Sequence, residues 1–304
     1  MQPLPHSVTI VEVGPRDGLQ NEDALVDTKT KVAFIDRLST SGLKHIEVTA
    51  FVNPARIPQL ADAIEVCKAI TRAPGVVYSA LVPNVKGYER AREAGLSDIA
   101  VFLSATESHN EANIGCTIDE AFERYAEVFS RAARDDVPVR GYVSTAFGCP
   151  YEGHVEIDQV VKVGRRLLDL GCYQVSLGDT VGLGNPVQVA ETVRALVSTG
   201  CRLDEIALHL HDTRGTALAN ALAGLTEGVT TFDASVGGLG GCPYAPGATG
   251  NVATDELVYM LSEMGIDTGV SLPALMDAAT IVADALQKPV PSRWIKATQA
   301  TTHD

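Results

Sequence analysis

The segment Leu208-His209-Leu210-His211-Asp212 sets two imidazoles at i and i+2. On a strand, that spacing turns both rings to one face, a usual geometry for paired metal ligands. A single inward histidine is ordinarily a satisfied core residue; the pair favours ligation. Glu12-Val13-Gly14-Pro15-Arg16-Asp17-Gly18 puts a cation beside a carboxylate between glycines. It suits substrate electrostatics and metal ligation, or else a solvated turn with a surface ion pair. In Glu47-Val48-Thr49, period two places Glu47 and Thr49 on one face. If that face is interior, the carboxylate needs a partner, so a structural Glu–Arg pair competes with a functional role. Ser176-Leu177-Gly178-Asp179-Thr180 adds polar groups, and Asn113, expected in the loop after strand four, is a weaker candidate.

Residues 237–251 hold six glycines in fifteen positions, which argues against a helix or a stable strand. Such a loop is a flexible lid or a close-fitting backbone platform. Cys242 within it could serve as acid or nucleophile, or be an inert loop thiol. The glycines match neither a Walker A loop nor the dinucleotide fingerprint.

Short β-branched runs alternate with helical patterns and must position these groups. Eight strands are expected at Val8–Val13, His45–Thr49, Val76–Leu81, Asp98–Leu103, Val137–Ser144, Tyr173–Leu177, Glu205–Leu210 and Thr231–Val236. Helical patterns include Lys29–Ser41, Asp119–Asp135, Asp158–Leu170, Pro186–Ser198 and Thr216–Glu227, and Gly42, Gly95, Gly171 and Gly200 fall where helix stops belong. Eight βα units in about 250 residues favour an α/β fold of the closed (β/α)8 TIM barrel type, whose reactive groups gather at the carboxyl ends of the strands. Every cluster above falls there. The expected organisation is one catalytic domain over 1–304: a barrel at about 8–240, the glycine loop, and a C-terminal helical appendage over 252–304, with helices near Asp255–Met264 and Leu272–Leu286.

The 304 residues carry 24 Lys+Arg against 38 Asp+Glu, a net charge of -14. That argues against nucleic-acid and anionic-membrane partners. No apolar run approaches the ~18 residues of a membrane span, and the N-terminus reads as neither signal nor transit peptide. Six scattered cysteines without a CxxC pair suit free thiols in a reducing cytoplasm.

Together Glu12–Glu22, Gly148–Gly153, Ser176–Thr180, His209–Thr213 and Ser235–Asn251 resemble the hydroxymethylglutaryl-CoA lyase family, from about residue 8 to 285. The Arg-Asp pair and the HxH are shared with a broader group of metal-dependent barrels, including isopropylmalate and homocitrate synthases and hydroxy-oxovalerate aldolases; the glycine loop is more specific to the lyases. The resemblance implies Mg²⁺ or Mn²⁺ held by Asp17, His209, His211 and Asn251. It implies Arg16 as stabiliser of enolate charge and a substrate-binding group, Glu47 as an active-site carboxylate and Cys242 as a mobile-loop thiol. Asp179 and His209 join the catalytic set, and Asn113 and Ser176 the substrate-binding set. It further implies an acyl-CoA substrate, a homodimer, and a place in leucine degradation and ketone-body metabolism. The base is either His209 or Asp17. Where that family reads Ser followed by Phe-Val-Ser-Pro-Lys-Trp, this chain reads Ala50-Phe51-Val52-Asn53-Pro54-Ala55-Arg56, which leaves a different 3-hydroxy-3-alkylglutaryl thioester open. Thr298–Asp304 lacks the cysteine of animal members, so control through a C-terminal disulfide is not expected. An aldolase or condensing synthase on the same barrel and a non-catalytic metal-bound barrel are the competing classes; a zinc amidohydrolase would carry its HxH on strand one.

Overall fold

The structure, a computed structural model, describes residues 3–242 and 245–301, with the side chains of 242 and 245–248 outside that description. Eight parallel strands close into a barrel in chain order: β1 (Thr9–Glu12), β2 (His45–Ala50), β3 (Val77–Leu81), β4 (Asp98–Ser104), β5 (Val139–Ser144), β6 (Gln174–Gly178), β7 (Ile206–His209) and β8 (Thr231–Ala234). Closure is made by β1 and β8, in register from Thr9 opposite Thr231 to Glu12 opposite Ala234.

Local chemistry sets the helices between them. Helix α5 (Ile118–Arg134) starts at a capping box, the Thr117 hydroxyl accepting from Glu120 N while the Glu120 carboxylate accepts from Thr117 N. Helix α7 (Pro186–Ser198) has Asn185 as cap and proline in its first turn. The foreseen stops Gly42, Gly95, Gly171 and Gly200 all have positive φ, the conformation a side chain resists. The outward strand residues, among them Val48, Val101 and Val139, join the helices in the main core.

The interior is more polar than the branched aliphatic layers usual in such barrels. Arg140 Nε donates to Gln174 Oε1 at 3.0 Å, and Gln174 Nε2 donates to Thr231 Oγ1 at 3.2 Å. The C-terminal elements α9 (Thr254–Glu263), α10 (Leu272–Leu286) and α11 (Arg293–Thr301) pack on the barrel. Backbone bonds from Ser271 N to Ser41 O and from Val8 N to Asp267 O tie them in, and Leu275 and Val282 share the barrel's core.

Three local expectations are corrected. Asn113 lies in helix α4 (Glu107–Ile114), not in a loop. Strand β7 stops at His209, and His211 is reached through an isolated bridge to Asn251. The glycine segment contains a short ladder of β9 (Gly241–Cys242) with β10 (Ala245–Thr249), because extended backbone is open to glycine and two residues suffice for the pair. The glycines before it bend instead: Gly237, Gly238 and Gly240 have φ of 68°, 71° and 105°.

Candidate active site

Arg16 and Asp17 ride on a short π-helical turn, Gly14–Gly18, directly after β1. The turn is anchored from below by Glu12, whose buried carboxylate accepts from Gly14 N at 2.8 Å, Val236 N at 2.9 Å and the Thr254 hydroxyl at 2.6 Å. Glu12 thus links β1 to the segments after β8 and at the start of α9. Arg16 is buried and bonds both Asp17 and Glu47. Burial opposes its charge, but Asp17 and Glu47 beside it keep it firmly protonated. The expected Glu–Arg pair is present: Glu47 holds Arg16. Tyr142 donates to the other Glu47 oxygen at 3.1 Å.

Asp17, His209 and His211 present ligand atoms that all lie within 4.8 Å of one another. His209 and His211 bring their Nε2 atoms to 3.3 Å, and Asp17 Oδ2 is 3.8 Å from His209 Nε2. His209 Nδ1 faces Asp233 Oδ2 at 3.2 Å. A carboxylate only accepts, so Nδ1 donates to Asp233 and Nε2 is the atom turned into the cluster. Burial first, and then the neighbouring His209, lower the His211 pKa to about 4; it is neutral at pH 7, as a ligand must be. Burial disfavours the Asp17 charge, yet Arg16, His209 and His211 hold its carboxyl well below the usual range. One carboxylate oxygen and two imidazole nitrogens converge here, a donor set that fits a divalent cation. Asn251 turns its amide Nδ2 to Asp17 Oδ2 at 2.8 Å and to Leu239 O at 3.2 Å. Ligation by its oxygen requires the amide to rotate.

Behind the histidines lies a relay that the sequence did not disclose. Asp233 in β8 accepts from Arg140 Nη2 at 2.7 Å and from Ser176 Oγ at 2.8 Å, and orients His209. Its charge is disfavoured by burial, and Arg140 and His209 outweigh that, bringing it to about 2. Arg140 also donates to the Tyr142 hydroxyl at 3.1 Å. The available signal was a lone charge within an apolar strand, Asp233 in Thr231–Ala234 and Arg140 in Val139–Ser144.

The mouth opens into a cleft of about 440 Å³ lined by Arg16, Asp17, Asn113, Tyr142, His209 and His211, among others. Ser176 and Asp179 do not line it. Ser176 serves Asp233 from the barrel interior. Asp179, pushed up to about 6 by burial, accepts from Leu183 N at 2.9 Å and Gly184 N at 3.1 Å and shapes the loop after β6. The Cys242 side chain lies outside the described residues. Gly240 abuts the site: a Cβ there would fall 2.8 Å from Asn251 Nδ2. This part of the glycine segment is a close-fitting platform.

Comparison with known proteins places this arrangement. Residues 7–282 match the HMGL-like family. The hydroxymethylglutaryl-CoA lyase YngG of Bacillus subtilis is 50% identical over 291 residues, covering 96% of this chain and 97% of that protein. The crystal structure of the HMG-CoA lyase of Bacillus subtilis superposes with a TM-score of 0.96 at 48% identity, over 98% of this chain and 100% of that one. An HMG-CoA lyase from Acinetobacter baumannii, solved in complex with coenzyme A and 3-methylmalate, superposes with a TM-score of 0.92 at 40% identity, over 98% and 97% of the two chains. Matched over nearly its whole length and built on the same barrel, the chain belongs to the HMGL-like family.

Proposed function

We propose that this chain cleaves 3-hydroxy-3-methylglutaryl-CoA to acetyl-CoA and acetoacetate by a metal-dependent retro-Claisen reaction. The observation that carries the reading is Arg16, buried and charged, beside the converging Asp17, His209 and His211. The proposed ligands are Asp17, His209, His211 and Asn251, for Mg²⁺ or Mn²⁺. Such an ion, when bound, acidifies the substrate hydroxyl and polarises the nascent ketone.

The tertiary hydroxyl loses its proton, the C2–C3 bond breaks, and its electrons pass into a thioester enolate. Two groups stand at the cluster to take that proton. One is the carboxylate of Asp17, which Arg16 holds well below the usual carboxylate range, and the other is the imidazole of His209. Arg16 stabilises the developing enolate charge, and Glu47 with Tyr142 fixes the guanidinium. A proton then reaches C2 to give acetyl-CoA, with Cys242 as the proposed donor. Asn113 on the cleft wall contacts substrate, and Ser176 and Asp179 act from behind, through Asp233 and the loop after β6.

The chain acts as one catalytic domain, and a homodimer in the cytoplasm is part of the same reading. Cys67, Cys116, Cys149, Cys172 and Cys201 are all buried and free, in keeping with a reducing compartment. No helix among the described residues is long and apolar enough to cross a membrane. The test is a panel of hydroxymethylglutaryl-CoA and longer 3-alkyl homologues, assayed for acetyl-CoA release with Mg²⁺. Release from the methyl substrate above all others is expected. CoA release from acetyl-CoA and an oxo acid, without cleavage of any hydroxyacyl thioester, overturns it.

A further inference from the structure

The cleft has a positive rim in a protein of net charge -14. Its charged lining consists of Arg16, Asp17, Arg56 and Arg124, with the histidines beside them. Arg16 is taken up by Asp17 and Glu47. Surface arginines such as Arg131, Arg165, Arg166 and Arg202 each sit on a carboxylate. Arg56 and Arg124 form no ion pair among the described residues; the one hydrogen bond from the Arg124 guanidinium is a long 3.4 Å contact to the Ile114 carbonyl. Both are exposed, whereas His209 and His211 are buried, so the arginines stand nearer the rim than the cluster.

Both are placed by ordered backbone. Arg124 lies on α5. Arg56 ends a turn that Asn53 closes, its side chain accepting from Ala55 N at 3.0 Å and its carbonyl accepting from Arg56 N at 2.9 Å. A second feature gives the direction of the ligand. Val52, Ile57 and Phe102 pack on a small apolar cluster with Leu81 and Tyr142, separate from the main core, and all five line the cleft. The cleft therefore offers a ligating cluster at depth, an apolar wall, and two unpaired guanidiniums at the rim. That is the order of groups along an acyl-CoA: polar acyl head, pantetheine arm, phosphates.

We propose that Arg56 and Arg124 bind the phosphates of the CoA moiety, by charge-assisted contacts of the guanidinium–phosphate kind. The inference rests on the acyl-CoA reading above. It also gives a role to Arg56, one of the residues at which this chain departs from the lyase pattern.

The test compares two thioesters of the same hydroxymethylglutaryl group, one of CoA and one of pantetheine, which carries no phosphate. In Arg56→Gln and Arg124→Gln, kcat/KM for the CoA thioester should fall about five- to tenfold each, chiefly through KM, as exposed charge-assisted contacts predict. The variant-to-wild-type ratio on the pantetheine thioester should stay within about twofold of one. Adenosine 3′,5′-bisphosphate should bind the wild type by calorimetry and lose that binding in the double variant. Inorganic phosphate at equal concentration should bind neither. Equal losses on both thioesters, or none on either, overturn the proposal, as does phosphate binding that matches the bisphosphate. A wild type that turned over neither thioester would overturn the lyase reading, and the calorimetric arm would still decide the anion site.

Discussion

Replacing Asp233 by Asn tests the relay behind the Asp17, His209 and His211 cluster. The carboxylate accepts from Arg140 at 2.7 Å through one oxygen and from Ser176 at 2.8 Å through the other, which also faces His209 Nδ1 at 3.2 Å. An amide of the same shape offers one acceptor and one donor. If its oxygen stays on Arg140, its NH2 faces His209 Nδ1, and the imidazole proton is driven to Nε2. That proton then points at His211 Nε2, 3.3 Å away, and removes one ligand lone pair. If the amide turns over, NH2 meets guanidinium, and Arg140 is left buried without its carboxylate. Removing one partner of a buried pair costs about 3–5 kcal/mol of stability, and loss of a group orienting a ligating histidine costs about 10–100-fold in metal affinity, roughly 1.4–2.7 kcal/mol. Calorimetric titration of Mn²⁺ into the EDTA-stripped variant reads the affinity, and a melt of the metal-free protein reads stability separately. Ser176→Ala keeps the charge and removes one donor, so its affinity should change by less than about threefold. A folded Asp233→Asn protein that binds Mn²⁺ as tightly as the wild type would refute the argument.

Arg16→Gln should cost about 3–4 kcal/mol of transition-state stabilisation, or two to three orders of magnitude in kcat; near-normal turnover in steady-state assays would remove Arg16 from the proposed role. EDTA should abolish cleavage and Mg²⁺ or Mn²⁺ restore it, and activity that persists in chelator after dialysis would contradict the ligand reading. Gly240→Ala meets φ of 105° and a Cβ 2.8 Å from Asn251 Nδ2, so metal affinity should drop with a strain of about 1–3 kcal/mol; an unchanged Mn²⁺ titration and melt would count against the platform. Asp98 is pushed up to about 7 by burial, with Arg140 opposing. The folded state then holds a proton that the unfolded chain releases near 3.8, so stability is lost as pH rises through the window up to about 7, by at most about 4 kcal/mol. Asp98→Asn should raise the melting temperature at pH 8 and leave it near wild type at pH 4; equal shifts at both would place the cause elsewhere.

The legible features were those fixed by neighbours in the chain. Helix stops at Gly171 and Gly200 are local backbone requirements, and both have positive φ. The Arg16-Asp17 pair and the His209/His211 spacing likewise carry their meaning within a few residues. Closure of the barrel decides the rest. Arg140 and Asp233 are 93 positions apart and meet only because β5 and β8 face one interior. Nor could period two alone place His211, whose strand has ended and whose position depends on the bridge to Asn251. Ser176 read as a rim group because β6 ends close by, but its place on the pleat turns the hydroxyl inward to Asp233.

The net charge of -14 recurs in miniature at the site. Arg16 and Arg140 are two guanidiniums set among three carboxylates, Asp17, Glu47 and Asp233, which leaves one negative charge in excess inside a barrel where Coulomb forces are poorly screened. An anionic thioester would be repelled by such a centre. A divalent cation at the Asp17, His209 and His211 cluster reverses the sign, so metal should precede substrate in the order of binding. The rim arginines act further out and need no ion to be positive. Substrate affinity at the rim should therefore survive chelation, while affinity contributed by the acyl head should not. Calorimetry of free CoA and of a non-cleavable acyl-CoA analogue, each with and without Mn²⁺, separates the two. CoA binding that vanished with the metal would show that the rim does not act alone.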